Sequence, residues 1–515
     1  MPLFLLLAWR IWAFTIRPRL YPHRLQYLPY WIPYLGHVIP FFRNSNRLYF
    51  QAKKFSPQHC TLRIAGQDIV LATTAAQIST IDKERRIFSF EDFMNLVYDD
   101  MAKVSPKNKP LLWRTPAQGY VSIFPNPKQL TCAHTGVELL HKQFHRPDML
   151  RQFLDSSLAG FSQALQWNTL YTTSVLGSSP EHKVVSLRSL CRDAIVDAQV
   201  DSFFGTRLLE LEPNLRVILS DWDTQSWRVI YQLPSALAKP ATQPRDRLVD
   251  VLAQYYSLPA INRPGSVAFV NELYDDYKQA GLSTRDIAGI VFTILSGLSI
   301  NPTMLAFWML AHLLNNPTVI DQIREEIAPA MRAGVSNPEL NGASLYELTK
   351  HWLSSQCSLL NSVFYETLRY TSTGSSIRKT TQATTLDGYG IPKGTIIAIP
   401  QRLHMMSEEA FGLNPSTFDY YRFQRDKSLT HKTEFRGFGG GTTLCSGRTA
   451  GRHMVLAFVA FVLWRYDIEA LGPSQKVLGI RGKPFPQLDE ATPSLGPGRP
   501  LDGGDLILKL TQRKV

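Results

Sequence analysis

Ten residues near the C-terminal end hold the most distinctive chemistry of the chain. Phe438-Gly-Gly-Gly-Thr-Thr-Leu-Cys-Ser-Gly447 places one cysteine inside a glycine-rich loop. Glycines at 439, 440 and 441 permit positive φ angles and let the backbone approach a flat ligand that any Cβ would obstruct. The apolar pattern from Ser446 to Trp464 predicts a buried helix, so Cys445 falls near a helix N-terminus. Amide donors and the positive end of the helix dipole favour a thiolate there.

An electron-rich thiolate is a strong axial ligand for haem iron, which is the leading use of such a loop. Two others stay open on the loop alone. The cysteine could be a small buried hydrophobe, or the glycines could cradle a phosphate. The phosphate option is the weaker, because no Gly-Lys-Ser/Thr follows and no dinucleotide fingerprint appears.

Further upstream, Glu366 and Arg369 are three residues apart and share one helix face. An exposed pair of that kind contributes little. Here Leu359, Leu360, Val363, Phe364 and Leu368 surround it, which predicts burial and the need for a third partner, for which Arg422 is the candidate. Arg378, on a predicted strand, is either a surface charge or a bidentate anion ligand. In the longest apolar helix pattern, Arg285 to Leu314, the run Ser296-Gly-Leu-Ser-Ile-Asn-Pro302 predicts a kink that opens a groove, with Ser299 and Asn301 as polar groups in need of partners.

The elements that must position these groups are mainly helical. With 515 residues, 44% of them hydrophobic, and no pooled linker or repeat, the chain supports one large core. Cysteines at 60, 132, 191, 357 and 445 are too few and too scattered for a disulfide framework or zinc cluster, which indicates a reducing compartment. The net charge of +13 points to an anionic membrane surface or an acidic protein, while the absence of a clustered basic stripe excludes nucleic acid.

Residues 1–20 are expected to be a membrane anchor or membrane-associated segment, since MPLFLLLAWRIWAFTI is apolar but short and interrupted by Arg10. Arg17 and Arg19 behind it would keep the body in the cytosol. Residues 21–40, with Pro29, Pro33 and Pro40, predict a stiff, extended hinge. Thr61 to Thr73 predicts a β-hairpin about Gly66, and residues from about 75 to 345 read as helices broken at Pro125, Pro180, Pro213, Pro259 and Pro302. Strands are expected only near the ends, including short ones through Leu386 and Ile391 joined by Gly-Tyr-Gly and Pro-Lys-Gly turns.

Taken together, the hinge at 29–40, the central helix at 296–303, Glu366-x-x-Arg369 and Phe438-x-x-Gly441-x-x-x-Cys445-x-Gly447 resemble the landmarks of the cytochrome P-450 superfamily over nearly the whole chain. That resemblance implies a mainly α fold with a small β region, the haem lying between a long distal helix and the proximal cysteine loop, in a single haem-thiolate domain of residues 41–515. It implies haem b (iron protoporphyrin IX) with Cys445 as the iron ligand, Phe438 packed beneath the ring, and Gly441 and Gly447 giving the loop its closeness to it. It also implies Arg378 on a propionate and Glu366, Arg369 and Arg422 as a structural ion triad. Ser299 and Asn301 align with the acid and alcohol that relay protons in most monooxygenases of the family.

There are departures. Asn301 with Phe307-Trp308 is similar to the subgroup of sterol hydroxylases and prostacyclin synthase, which includes an isomerase. Thr443 stands where an arginine or histidine often holds a propionate, and Tyr420-Tyr421 replaces a common Pro-Glu. The usual tryptophan clamp is missing, with His141, Lys142 and Arg146 as substitutes. The implied activity is a monooxygenase using O2 and NADPH-derived electrons from a flavoprotein reductase, and Arg436, Arg448 and Arg452 either dock that reductase, bind propionates or are solvated. Its substrate would be a lipophilic small molecule, such as a terpenoid, sterol or polyketide, in a biosynthetic pathway. The expected setting is a monomer on the endoplasmic reticulum membrane, facing the cytosol. The alternatives are a haem-thiolate isomerase or dehydratase needing no external electrons, and a non-catalytic haem-binding sensor or partner protein.

Overall fold

One helix runs unbroken through the middle of the molecule, Thr284–Leu314, with Ser283 capping it by accepting a hydrogen bond from the Asp286 amide. A computed structural model describes residues 3–335, 352–492 and 494–513. The tail end of the helical stretch expected to reach 345 therefore lies outside the described residues. The central helix is apolar on nearly every side, as a helix surrounded by protein must be. Pro302 sits inside it without ending it, so the interruption expected at 296–302 is a site of local strain in a continuous element.

The most extensive packing on this axis comes from Leu187–Phe204, Ser235–Ser257, Ser358–Thr371 and Arg448–Arg465. Their apolar faces merge into one large core in which Trp222 meets Phe292 edge-on at 5.2 Å. Arg448–Arg465 starts two residues later than the sequence pattern suggests, with Gly447 as its N-cap.

The β structure forms two main sheets. One orders Cys60–Ile64, Gln67–Leu71, Ile396–Pro400, Ser375–Thr380 and Phe88–Ser89, and the expected hairpin turns through Ala65 and Gly66, both at positive φ. The other orders Tyr466–Leu471, Ile507–Gln512, His182–Ser186 and Val175–Ser178. This corrects the expectation that strands lie only near the ends. Pro180 breaks no helix; it sits in the turn of a hairpin whose His182–Ser186 strand pairs antiparallel with the C-terminal strand. A smaller correction concerns Thr384–Leu386 and Tyr389–Ile391, which are joined at Asp387-Gly388, both at positive φ, so Tyr389 and Gly390 belong to a strand.

The N-terminal end is helical from Leu3 to Leu20, with one wide π turn at Trp12–Ile16. The proline-rich stretch after it is not extended throughout: Tyr34 and Gly36 take positive φ, and Val38–Arg43 coils into a short helix that accepts Pro40 in its first turn.

Candidate active site

The loop bearing Cys445 is built by a short set of local bonds. The Cys445 amide donates to the Phe438 carbonyl at 2.9 Å, and the Gly439 amide donates to the Arg436 carbonyl at 2.9 Å. Phe438 is half-buried and stacks near Phe364 at 6.4 Å, which ties the loop to helix Ser358–Thr371. Of the five cysteines only Cys445 is accessible; the other four are buried. Its sulfur is nonetheless deeply set, as a group facing a cleft is, and burial pushes the thiol above its ordinary value. The amides of Gly447 and Arg448 and the Arg448 charge pull the other way without winning. The expectation that the helix end alone yields a thiolate is therefore corrected. A coordinating metal ion reverses that balance, because a metal-bound thiol is deprotonated outright.

The glycines serve purposes that sequence reasoning only half describes. Gly439 and Gly441 have φ of +77° and +57°, whereas Gly440 is extended. A side chain at Gly440 would strike the Arg436 guanidinium, and one at Gly441 would come within 2.6 Å of the Asp82 carboxylate. Gly441 thus makes room for Asp82. Gly447 has ordinary φ of -84°, and a Cβ there would meet no protein atom within 4 Å.

Asp82 and Arg436 form a pair at 2.7 Å, with Arg436 buried. Asp82 is carried by helix Ala75–Lys83, which is fixed by a Thr74/Gln77 capping box. Close by, buried Arg378 donates to the Thr443 hydroxyl at 2.6 Å and to the Ile377 carbonyl at 2.9 Å. Burial lowers the affinity of Arg378 for its proton, Asp82 raises it and Arg436 lowers it further. Thr443 is therefore a partner of Arg378, and Asp82, which the sequence gave no reason to single out, organises the cluster.

Of the three basic side chains expected on a docking face, one is withdrawn from the surface. Arg436 is buried on Asp82, and Arg452 is tied to the Asn361 side chain and the Ser354 carbonyl at 2.7 Å. Arg448 and Arg452 both stay half-exposed, and Arg448 donates to the Cys445 carbonyl at 3.0 Å. Two of the suggested clamp substitutes are likewise engaged, Lys142 with Glu272 at 2.9 Å and Arg146 with Asp148 at 2.7 Å.

Beneath the loop, Glu366 and Arg369 are fully buried and doubly hydrogen-bonded, at 2.8 and 2.7 Å. Arg422 reaches the same carboxylate at 3.1 Å, and the Asp419 amide donates to it at 2.9 Å. Arg369 also holds the Met405 carbonyl at 2.7 Å, while Arg422 binds the carbonyls of Phe411 and Thr417. Every strong donor of the pair thus has an acceptor, which is what a buried ion cluster requires.

On the central helix, Ser299 and Asn301 do not share a face. Two residues along an α-helix turn by about 200°. Ser299 is wholly buried, and its hydroxyl has no hydrogen-bond partner among the described residues. Asn301, only partly buried, abuts Gly496. Gly297, one turn earlier and on the Asn301 side, is exposed, and a Cβ there would meet nothing within 4 Å. The Gly496 loop also brings Ser494 and Leu495 to a cavity of about 500 Å³ whose lining includes Phe41, Tyr231, Ile377 and Arg378.

A soft sulfur donor, a glycine with open space above it, a buried guanidinium cluster with an unpartnered Arg436 Nε, and an open Gly297 on the central helix suit a flat anionic macrocycle with a central metal. The family profile of Cytochrome P450 matches residues 199–480, more than half the chain. The chain belongs to the cytochrome P450 family and is a P450 enzyme, for which the family implies haem with a cysteine thiolate ligand.

Individual relatives are distant. Cytochrome P450 monooxygenase nodJ of Hypoxylon pulicicidum is 26% identical, over 56% of this chain and 58% of its own length. Cytochrome P450 monooxygenase poxD of Penicillium oxalicum is 22% identical over 88% of this chain and 90% of its own. Cytochrome P450 7A1 of Rattus norvegicus is 24% identical over 93% and 92%.

Proposed function

We propose that this protein is a haem-thiolate monooxygenase that inserts one oxygen atom from O2 into a lipophilic small molecule, of terpenoid, sterol or polyketide type, in a biosynthetic pathway. The observation that carries this reading is Cys445, the one accessible cysteine, held at the head of helix Arg448–Arg465 by a loop that two glycines allow to close over Asp82 and Arg436. The names of the two fungal relatives, both monooxygenases, support the reaction class.

In this reading Cys445 would ligate haem b, Phe438 would pack against it, and Gly441 and Gly447 would give the loop its closeness to it. Arg378 takes a propionate, with Thr443 orienting the guanidinium. Glu366, Arg369 and Arg422 hold the segment below the loop rigid. When bound, the haem-thiolate supplies O–O cleavage and oxidation of unactivated C–H bonds. Asn301, beside Gly496, offers both a donor and an acceptor, enough to fix a water for proton transfer. Ser299 is left as a back-face residue whose share in that transfer requires a rearrangement of the helix. The substrate occupies the cavity of about 500 Å³, and its apolar walls at Phe41, Ile69 and Leu495 select a lipophilic molecule. Electrons come from NADPH through a flavoprotein reductase, and the enzyme works as a monomer on the cytosolic side of the endoplasmic reticulum membrane.

A second reading has one observation in its favour. Between Ile287 and Leu314 the central helix has no carboxylate, so an isomerase or dehydratase that needs no external protons and electrons fits the same site. The experiment is turnover with a reductase, using candidate lipophilic precursors and mass spectrometry. The proposal expects product only with both NADPH and O2. Conversion of a peroxide or other preoxidised substrate without NADPH refutes it in favour of the second reading, and a haem-loaded protein with no conversion of any kind leaves a sensor or partner protein.

A further inference from the structure

Trp308 lies in an apolar stretch of the central helix and is only 2% exposed, and a buried indole N–H has to find an acceptor. It donates to the Gly498 carbonyl at 2.7 Å, across 190 residues of chain. Asn301 precedes Trp308 by seven residues, two helical turns, and so shares its helix face. There a side chain added at Gly496 would strike the Asn301 amide. Two residues of one helix face thus meet two residues of one loop, Asn301 at Gly496 and Trp308 at Gly498.

The loop is fastened from its other side as well. The Gly498 amide donates to the Thr371 carbonyl at 2.6 Å, at the end of helix Ser358–Thr371. The Thr373 and Ser494 hydroxyls are bonded at 2.8 Å, and the Ser494 hydroxyl donates on to the Gly496 carbonyl at 2.8 Å. A side chain at Gly498 would come within 2.9 Å of both Leu488 and Thr373, so the backbone is closely packed at that point. The next loop residue, buried Arg499, donates to the Asp223 carbonyl on helix Leu215–Gln225.

This anchoring divides the loop in two. Residues 497–500 are buried, whereas Ser494 is half-buried and Leu495 is 47% exposed. Ser494 and Leu495 line the cavity of about 500 Å³, whose other apolar walls include Phe41, Ile69, Ile230 and Ile377. The arm that carries Leu495 belongs to no helix or strand, so the bonds at Ser494 and Gly498 decide where this wall stands.

We propose that Trp308 is a positioning residue: by holding Gly498 against the central helix, with Asn301 as the stop at Gly496, it fixes Leu495 in the cavity wall and governs how a long lipophilic molecule lies there. The nature of the occupant rests on the function proposed above; the docking of the loop does not. A Trp308 of purely structural use would satisfy its own N–H and fill the core without any effect that reaches the cavity.

The test uses the haem-loaded full chain and two iron-binding probes of different reach, imidazole and N-dodecylimidazole, titrated optically in the ferric protein. Trp308→Phe keeps an aromatic ring and removes the donor. It should weaken N-dodecylimidazole at least about fivefold, the loss of one apolar contact, and imidazole by less than about twofold. Leu495→Ala should do the same, and the double variant Trp308→Phe/Leu495→Ala should bind no more weakly than Leu495→Ala alone, because both act on one contact. Hydrogen exchange of the 494–500 segment should be at least about tenfold faster in Trp308→Phe than in the wild type. Equal weakening of the two probes, additive effects in the double variant, or unchanged exchange of that segment overturns the proposal. If Trp308→Phe takes up no haem, Gly496→Ala, whose added methyl pushes the loop off Asn301, carries the same test. It should reproduce the selective loss, and wild-type binding of both probes by this variant overturns the proposal. None of these readouts is turnover, so a wild type that forms no product with NADPH and O2 refutes the function proposed above without touching the binding ratios.

Discussion

Replacing Glu366 by alanine should unsettle the proximal side of the molecule more than any other single change there. The substitution removes the acceptor for two Arg369 bonds, one Arg422 bond and the Asp419 amide, and strands two guanidinium groups in a region of essentially no solvent access. Breaking a buried pair by deleting one partner costs about 3–5 kcal/mol. For a 515-residue chain unfolding as one unit, the entropy of melting is about 1.1 kcal/mol per kelvin, so the expected fall in Tm is about 3–5 °C. Thermal unfolding followed by circular dichroism, with haem retention measured on the same samples, checks this. In the double variant Glu366→Ala/Arg422→Ala one orphaned charge is gone, so its loss should be smaller than the sum of the two single losses by about 1–3 kcal/mol. A fall below about 1 °C for Glu366→Ala, or strict additivity in the double variant, refutes the view that these residues act as one buried cluster.

Acid should weaken the fold through His312 and His404, whose burial pushes them down to about 3 and about 4. Their folded values lie below the ordinary 6.5, so the stability they permit is complete above about pH 6.5 and is lost as pH falls from there toward 4 and 3, at about 1.4 kcal/mol per pH unit for each group. His312 stacks on Phe418 at 3.9 Å, so His312→Phe should remove one such slope between pH 7 and pH 5 in denaturant titrations; an unchanged slope contradicts the assignment. Gly441→Ala forces a side chain into positive φ, at about 1–2 kcal/mol, and against Asp82, and should speed haem loss to apomyoglobin. Adding Asp82→Ala should relieve only the steric share, so a double variant that loses haem as slowly as wild type would argue against the backbone contribution. Ser299→Ala deletes a buried hydroxyl without a partner among the described residues and should leave Tm unchanged or raised, whereas Asn301→Ala should lower product formed per NADPH consumed; a Tm loss from Ser299→Ala would show that its hydroxyl is satisfied.

The sequence made the local pairings readable and concealed the distant ones. Glu366 and Arg369 could be joined because a spacing of three residues and apolar neighbours together define a buried helix face. The loop glycines could be recognised, but not their contact with Asp82, which lies 354 residues from Arg436 and which nothing in its own segment distinguishes from a surface carboxylate. The strands at Val175–Ser178 and His182–Ser186 were hidden in the same way, since their stabilising partner is the C-terminal strand. Ser299 and Asn301 were read as a pair because both are polar in an apolar run, although the 3.6-residue period already separates them. Of the expected docking arginines, Arg436 is taken into the interior by a partner from far along the chain, Asp82.

The Asp82–Arg436 pair also imposes an order on how the protein is made. Asp82 belongs to the part of the chain synthesised first, whereas Arg436, Cys445 and the strand that completes the second sheet arrive last. A loop that long must be closed before the pair contributes anything, and the cost of closure is met by the core that forms between them. The cysteine pocket therefore has no complete wall until nearly all of the polypeptide has folded. Cofactor capture is a final event of assembly, and a chain truncated between Leu314 and Arg436 carries the central helix but has no place to keep a haem.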